Sequence, residues 1–226
     1  MLSHRSRRHA LRLILAPVLF GALAAAPGLG AGAQARPLHL VAFGDSLTAG
    51  YMLPADAAFP AVLEKRLNAA GLAVTIVNAG VSGDTTAAGL ARLDWSIPDG
   101  TDGVILELGA NDALRGLDPA RAQANLDAML ARLAARNIPV LLAGMLAPRN
   151  NGPEYATAFD GMFRRLAEKH GATLYPFFLE GQAGVAGLTL PDGIHPNRQG
   201  VEKIVDGIYP TAEKFVRLLA EKKGAN

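Results

Sequence analysis

The chain has 226 residues, of which 50% are hydrophobic, no cysteine, and a formal net charge of +2. The lack of cysteine excludes disulfides, a thiol nucleophile, cysteine-ligated zinc and a lipoprotein anchor. Of the 22 Lys and Arg residues, four arginines lie in the first 35 positions, which leaves 18 against 20 Asp and Glu and a net charge of −2 for the remainder. That remainder carries no electrostatic footprint for nucleic acid, and its length suits one domain with a full hydrophobic core.

The first 35 residues have the three-part pattern of a secretory signal peptide. A basic start is followed by an apolar run at 11–26 and by small residues that offer cleavage sites, Ala31-Gly32-Ala33 or Ala33-Gln34-Ala35. The apolar run is shorter than the roughly 20 residues that a spanning helix needs, which favours a cleaved signal over an uncleaved membrane anchor. We therefore predict a signal peptide at 1–35, a single domain at 36–226, and a periplasmic or secreted protein.

Beyond the signal, strand-like apolar runs alternate with amphipathic helical patterns. The strand candidates are 38–43, 73–78, 103–108, 139–145 and a short 172–175. The helix candidates are 60–70, 119–136 with Asp118 as its N-cap, 154–170, and 198–222 interrupted at Pro210. This alternation predicts an α/β fold in which a parallel sheet carries helices on both faces, joined by right-handed crossovers.

Two distant segments bear residues that could carry out nucleophilic chemistry. The first strand candidate ends just before Ser46, and ligands of an open α/β sheet bind at the carboxyl ends of its strands. Far downstream, Asp192 and His195 lie three apart in a turn, and Pro196 keeps His195 out of the helical region. An aspartate so placed can reach Nδ1 of the histidine and leave Nε2 free to accept the proton of Ser46. The ordinary alternatives are a serine helix cap and a capping aspartate beside an exposed histidine.

Two further segments offer hydrogen-bond donors for a developing oxyanion. Asn111 follows the third strand candidate, and its side-chain amide lies at the same end of the sheet as Ser46. Gly80 follows the second strand candidate and would let a backbone N–H approach a substrate closely. Together with the N–H of Ser46, these groups would make three donors converge on one point. Taken singly, each segment is explained as well by a turn or by the cap of a short helix.

Taken together, these segments resemble the four blocks of the SGNH (GDSL-type) hydrolases. In chain order the blocks are Gly44-Asp45-Ser46-Leu47, Gly80, Gly109-x-Asn111-Asp112 and Asp192-x-x-His195. The similarity covers essentially the whole chain beyond the signal, and it is strongest to the bacterial periplasmic thioesterase I/lysophospholipase L1/arylesterase branch. It implies a flavodoxin-like three-layer α/β/α sandwich. It also implies Ser46 as nucleophile, His195 as general base, Asp192 as its orienting carboxylate, and an oxyanion hole built from the Ser46 and Gly80 amides and the Asn111 side chain.

The resemblance implies hydrolysis of short-to-medium acyl esters or thioesters, such as aryl esters, acyl-CoA and lysophospholipids, through an acyl-enzyme on Ser46. We expect a monomer that acts on a small molecule without metal or cofactor, with no nucleic-acid partner and no stable membrane anchor. The loop 146–153 and the stretch 185–190 are candidate walls of an acyl groove.

Two alternatives remain: a carbohydrate acetyl-esterase of the same family, and a non-catalytic lipid- or glycan-binding protein on the same scaffold. A true α/β-hydrolase would need a Gly-x-Ser-x-Gly elbow and a nucleotide-binding protein a P-loop, and the sequence has neither.

Overall fold

The computed structural model of the protein describes residues 36–224, so the predicted signal peptide at 1–35 lies outside the described residues. Five strands form one sheet: β1 (Leu38–Gly44), β2 (Val74–Gly80), β3 (Gly103–Glu107), β4 (Val140–Ala143) and β5 (Thr173–Tyr175). All neighbouring strands pair in parallel, in the order β2-β1-β3-β4-β5. This is the strand order of flavodoxin-like folds, in which the order of strands along the sheet reverses between β1 and β3.

Helices cover both faces of the sheet. They are α1 (Ser46–Ala49), α2 (Phe59–Ala69), α3 (Thr86–Ser96), α4 (Ala110–Leu114), α5 (Pro119–Ala135), α6 (Pro153–His170) and α7 (Arg198–Gly224). Helix α2 packs against α7, and α5 packs against both α3 and α6, so the protein is a three-layer α/β/α sandwich, as predicted. Within residues 36–224, no helix combines the length and the apolar character that crossing a membrane requires.

The three central strands of the sheet, β1, β3 and β4, form where the sequence is largely apolar. Strands β3 and β4 are buried along their whole length, and β1 is buried at every position except His39. Such runs are typical of parallel strands, because helices exclude water from both faces. The five strand predictions are confirmed, with ends that differ by one or two residues. The predicted cap of α5 is confirmed as well, because the Asp118 side chain accepts a hydrogen bond from the N–H of Ala120.

Two features of the helices differ from the sequence predictions. The predicted interruption at Pro210 is wrong, because α7 continues through it. A proline inside a helix costs about 3 kcal/mol, and here Ile208 and Ala212 on either side of it are buried in the core. The sequence also did not reveal α3. The first turn of α3 is held from outside the helix, since Asp112 accepts hydrogen bonds from the N–H (2.8 Å) and hydroxyl (2.7 Å) of Thr86.

Candidate active site

The predicted nucleophile begins a short helix at the carboxyl end of β1. Asp45 is the N-cap of α1, and its Oδ1 accepts a hydrogen bond from the N–H of Leu47 at 3.0 Å. Ser46 is therefore the first residue of α1, and it is only 8% exposed. The first N–H groups of a helix have no partner inside the helix. Among residues 36–224, none accepts from the N–H of Ser46, so this donor is available to a ligand.

The structure brings the three predicted triad residues together. Oγ of Ser46 lies 3.0 Å from Nε2 of His195, and Nδ1 of His195 lies 2.7 Å from Oδ2 of Asp192. Oδ1 of Asp192 also accepts from the N–H groups of Ile194 (2.9 Å) and His195 (3.0 Å). The Ile194 N–H above all, with the imidazole and N–H of His195, lowers the pKa of Asp192 to about 2. Asp192 is therefore ionised at any pH near neutrality, and it holds the imidazole with Nε2 facing Ser46.

The predicted oxyanion donors differ in how free they are to bind a ligand. Asn111 lies in the first turn of α4, and its Nδ2 donates to Oδ2 of Asp45 at 3.0 Å. The amide carries two hydrogens, so one donor remains. The N–H of Gly80, in contrast, already donates to Oδ1 of Asn78 at 3.0 Å. A Cβ on Gly80 would lie 2.8 Å from the Asp45 carbonyl oxygen. Glycine is needed here for close packing of β2 against both ends of α1. The N–H of Gly80 is not free as the oxyanion prediction requires.

A different N–H in the same loop is unoccupied. Within residues 36–224, the N–H of Gly83 has no acceptor, whereas the Gly83 carbonyl accepts from the guanidinium of Arg115 at 2.9 Å. Arg115 follows the last residue of α4, so this contact holds the Gly83 turn beside the helix that carries Asn111. Gly83 is the third residue after Gly80, the glycine that the sequence analysis assigned to the oxyanion hole.

A cavity of about 520 Å³ opens beside Ser46 and His195. Its wall is largely apolar and includes Leu114, Met145, Leu146, Phe177, Leu179 and Ile194. Residues 146–149 of the predicted acyl loop line the cavity, whereas none of the predicted stretch 185–190 does, and Leu179 and Ala183 supply that side instead. Arg149 stands on the wall with its guanidinium 2.9 Å from Asp160. Among the described residues that line this largely apolar cavity, Arg149 is the one lysine or arginine, and it is paired with Asp160.

Comparisons with known proteins agree with this geometry. The model of the GDSL-like Lipase/Acylhydrolase family matches residues 42–203. The chain belongs to this family. It is 40% identical to the esterase TesA of Pseudomonas aeruginosa over 184 residues, which cover 81% of this chain and 92% of the relative. It is 38% identical to an arylesterase of Vibrio mimicus, covering 91% and 98%. It is also 38% identical to thioesterase 1/protease 1/lysophospholipase L1 of Escherichia coli, covering 78% and 84%.

Solved structures extend the likeness to the whole fold of this acylhydrolase. The crystal structure of AlinE4, an SGNH-hydrolase family esterase, is 47% identical, with a TM-score of 0.68 over 80% of this chain and 97% of that one. The crystal structure of TesA is 40% identical, with a TM-score of 0.73 over 76% and 97%. The predicted SGNH hydrolase fold is therefore confirmed.

The acylhydrolase also contains two buried carboxyl groups to which the sequence assigned no role. Oε2 of Glu107 accepts from the hydroxyl of Thr48 (2.8 Å) and from the N–H of Asp45 (3.4 Å), while Oε1 has no partner within residues 36–224. Burial raises the pKa of Asp45 to about 6. Burial, and then the charge of Asp45, raise the pKa of Glu107 well above its ordinary value. Of the two, Glu107 therefore holds its proton more tightly, and Asp45, which binds Asn111, ionises first.

Proposed function

We propose that this carboxylic ester hydrolase is a serine esterase and thioesterase that cleaves short-to-medium acyl chains through an acyl-enzyme on Ser46. The observation that carries the proposal is the continuous series of contacts from Asp192 through His195 to Oγ of Ser46, at 2.7 and 3.0 Å. Such a series, opening into an apolar cavity, is the arrangement that activates a serine for acyl transfer.

The reaction follows from these positions in two halves. Nε2 of His195 takes the proton of Ser46 as Oγ attacks the acyl carbon, and Asp192 stabilises the imidazolium that forms. The imidazolium then gives this proton to the leaving alkoxide or thiolate, which leaves the acyl group on Oγ. In the second half, His195 takes a proton from water as the water oxygen attacks the acyl carbon. The tetrahedral intermediate then collapses, the bond between the acyl carbon and Oγ of Ser46 breaks, the imidazolium returns its proton to Oγ, and the carboxylic acid departs.

The oxyanion of each tetrahedral intermediate needs donors that are free in the resting enzyme. We assign this role to the N–H of Ser46 and to the second amide hydrogen of Asn111. For the third donor we favour Gly83 over Gly80, because the Gly80 N–H is taken by Asn78. Donors that are already in place when the negative charge develops require no reorganisation, which is why they contribute strongly to catalysis.

The cavity favours an acyl chain longer than acetyl. Its volume of about 520 Å³ falls within the roughly 300–1,000 Å³ of pockets that enclose a small organic ligand, and its wall is mostly apolar. An enzyme specialised for sugar acetates has no use for such a chamber, which argues against the acetyl-esterase alternative. The names of two relatives, arylesterase and thioesterase 1/lysophospholipase L1, indicate different leaving groups. We therefore propose that this chain accepts more than one class of leaving group.

The test is hydrolysis of p-nitrophenyl esters from acetyl to palmitoyl, together with acyl-CoA, by the purified protein and its Ser46→Ala variant. We expect the highest turnover below palmitoyl, and loss of nearly all turnover in Ser46→Ala with an unchanged circular dichroism spectrum. Full activity of the folded variant would exclude Ser46 as nucleophile. Inactivity of the wild type on every ester and thioester would favour the binding-protein alternative.

We also propose that residues 1–35 are a cleaved signal peptide and that the rest is one exported domain that works as a monomer. The proposal rests on the pattern of the first 35 residues and on the single compact sandwich that begins after them. Intact mass of the protein from the periplasmic fraction should correspond to a start just after Ala33 or Ala35, and light scattering should give the monomer mass. A full-length chain retained in the membrane fraction would contradict the cleavage.

A further inference from the structure

Tyr51 contacts the predicted catalytic histidine directly. The centroids of the Tyr51 and His195 rings are 4.4 Å apart, and the ring planes are inclined by 35°. Tyr51 is 40% exposed, so its ring covers one side of the imidazole while part of it faces solvent. The contact between the two residues is one of ring against ring. The aromatic ring alone, without the hydroxyl, therefore accounts for the contact.

The backbone ties this ring to the nucleophile. Helix α1 ends at Gly50, whose φ of +77° favours glycine. The N–H groups of Gly50 and Tyr51 both donate to the carbonyl of Ser46, each at 3.1 Å. A Cβ on Gly50 would also lie 2.5 Å from Cβ of Ala58, so this turn has little room to change. The Tyr51 ring and Oγ of Ser46 consequently belong to one small rigid unit.

His195, in contrast, comes from a loop whose hydrogen bonds are mostly internal. Its carbonyl accepts from the N–H of Leu190 at 2.7 Å, and the N–H of Asn197 donates to the Leu188 carbonyl at 3.0 Å. His195 and Ser46 are 149 positions apart in the sequence. Two contacts of the imidazole bridge this gap: the one with Oγ of Ser46 and the stack with Tyr51. The stack therefore limits how far the imidazole can turn away from Ser46.

We propose that Tyr51 is a positioning residue that holds the imidazole of His195 in line with Ser46 and stabilises the imidazolium formed during acyl transfer. This rests on the proposed roles of Ser46 and His195. The face of an aromatic ring is electronegative and attracts a cation placed over it. In the proposed mechanism, acyl transfer places the proton of Ser46 on His195, so the attraction is stronger in the transition state than in the resting enzyme. Such an interaction raises kcat rather than improving substrate binding.

A role in the substrate wall would have a different signature. Tyr51 is not among the described residues that line the acyl cavity. Loss of a wall residue changes KM and the chain-length profile, whereas loss of a positioning residue lowers kcat for every chain length alike. Comparing the change in kcat with the change in KM therefore separates the positioning role from the wall role.

The experiment compares Tyr51→Leu, Tyr51→Phe and the control Trp95→Leu on p-nitrophenyl esters of two chain lengths. Trp95 is 75% exposed near the C-terminal end of α3, so its replacement should leave kcat and KM unchanged. Loss of the ring in Tyr51→Leu should lower kcat roughly 2- to 30-fold, the range of one aromatic–cation contact, with KM nearly unchanged. Tyr51→Phe should restore most of the loss, because it keeps the ring. Wild-type kcat in Tyr51→Leu, an effect confined to KM, or a Phe variant as slow as Leu would overturn the proposal.

A spectroscopic measurement tests the contact independently of turnover. The ring current of Tyr51 should shift the His195 imidazole proton resonances upfield, and the shift should vanish in Tyr51→Leu but persist in Tyr51→Phe. The resonances are assigned by their loss in His195→Gln. If Ser46→Ala keeps full activity, the proposed function fails while this measurement still decides whether the stack exists. If Ser46→Ala is inactive and the ring-current shift is absent, only the role of Tyr51 fails.

Discussion

Replacing Glu107 with glutamine should make the protein's stability less dependent on pH. Glu107 is fully buried, and its Oε2 accepts from the Thr48 hydroxyl at 2.8 Å. The carboxamide of Glu107→Gln has nearly the same shape and still offers an oxygen to Thr48, but it has no proton to lose. The substitution therefore removes one titration and little packing.

The direction in which stability changes with pH follows from the pKa of Glu107, which burial and the neighbouring Asp45 charge place well above 4.5. The folded state binds this proton more tightly than the unfolded state does. The stabilisation is complete below the unfolded pKa and is lost as pH rises toward the folded pKa. The loss is up to about 1.4 kcal/mol per pH unit. From pH 5 upward, the wild type should therefore lose free energy of unfolding relative to the variant, at no more than that rate, and its Tm should fall relative to that of the variant.

The assay is urea unfolding at pH 5, 6, 7 and 8 for the wild type, Glu107→Gln and the control Glu202→Gln. Glu202 lies on the exposed side of α7, and its variant should follow the wild type at every pH. The raised pKa of Asp45 also makes stability fall with pH, but Asp45 is present in all three proteins, so the difference between the curves reports the titration of Glu107 together with its coupling to Asp45. If the free energies of Glu107→Gln and the wild type fall in parallel, Glu107 does not hold a proton in the folded state.

Three further predictions concern activity. Asp192→Asn should lower kcat by about 10⁴-fold without unfolding the protein, because His195 loses its charged partner and is no longer held in the tautomer that leaves Nε2 free to accept a proton. An effect of Asp192→Asn below tenfold would assign the orienting role to another carboxylate. Because the pKa of Asp192 is about 2, the kcat/KM of the wild type should show no titration of this carboxylate between pH 4 and 8. Asn111→Ala should lower kcat about 10²–10³-fold with little change in KM; an unchanged kcat would remove it from the oxyanion hole. Asp160→Ala releases the N–H of Ala147 (2.7 Å) and the Arg149 guanidinium, so the p-nitrophenyl chain-length profile should broaden, and an unaltered profile would show that the loop is held by other contacts.

The sequence by itself determined the layers of the fold and the triad candidates. Long apolar runs mark parallel strands because both faces of such a sheet are buried, whatever the partner strands are. Asp192 and His195 were recognisable because their contact spans only three residues and is a property of one local turn. Ser46 could be identified because it follows a strand, at the edge where parallel strands present ligands.

Only the tertiary structure decided which groups meet across the molecule. Helix α3 begins where Asp112 binds Thr86, 26 positions away, and no local pattern reports that bond. The free N–H of Gly83, the raised pKa of Glu107 and the ring of Tyr51 beside His195 likewise depend on segments brought together from different parts of the chain. Hydrogen-bond occupancy, burial and ring stacking are properties of pairs of residues in space, and a sequence pattern records only one member of each pair.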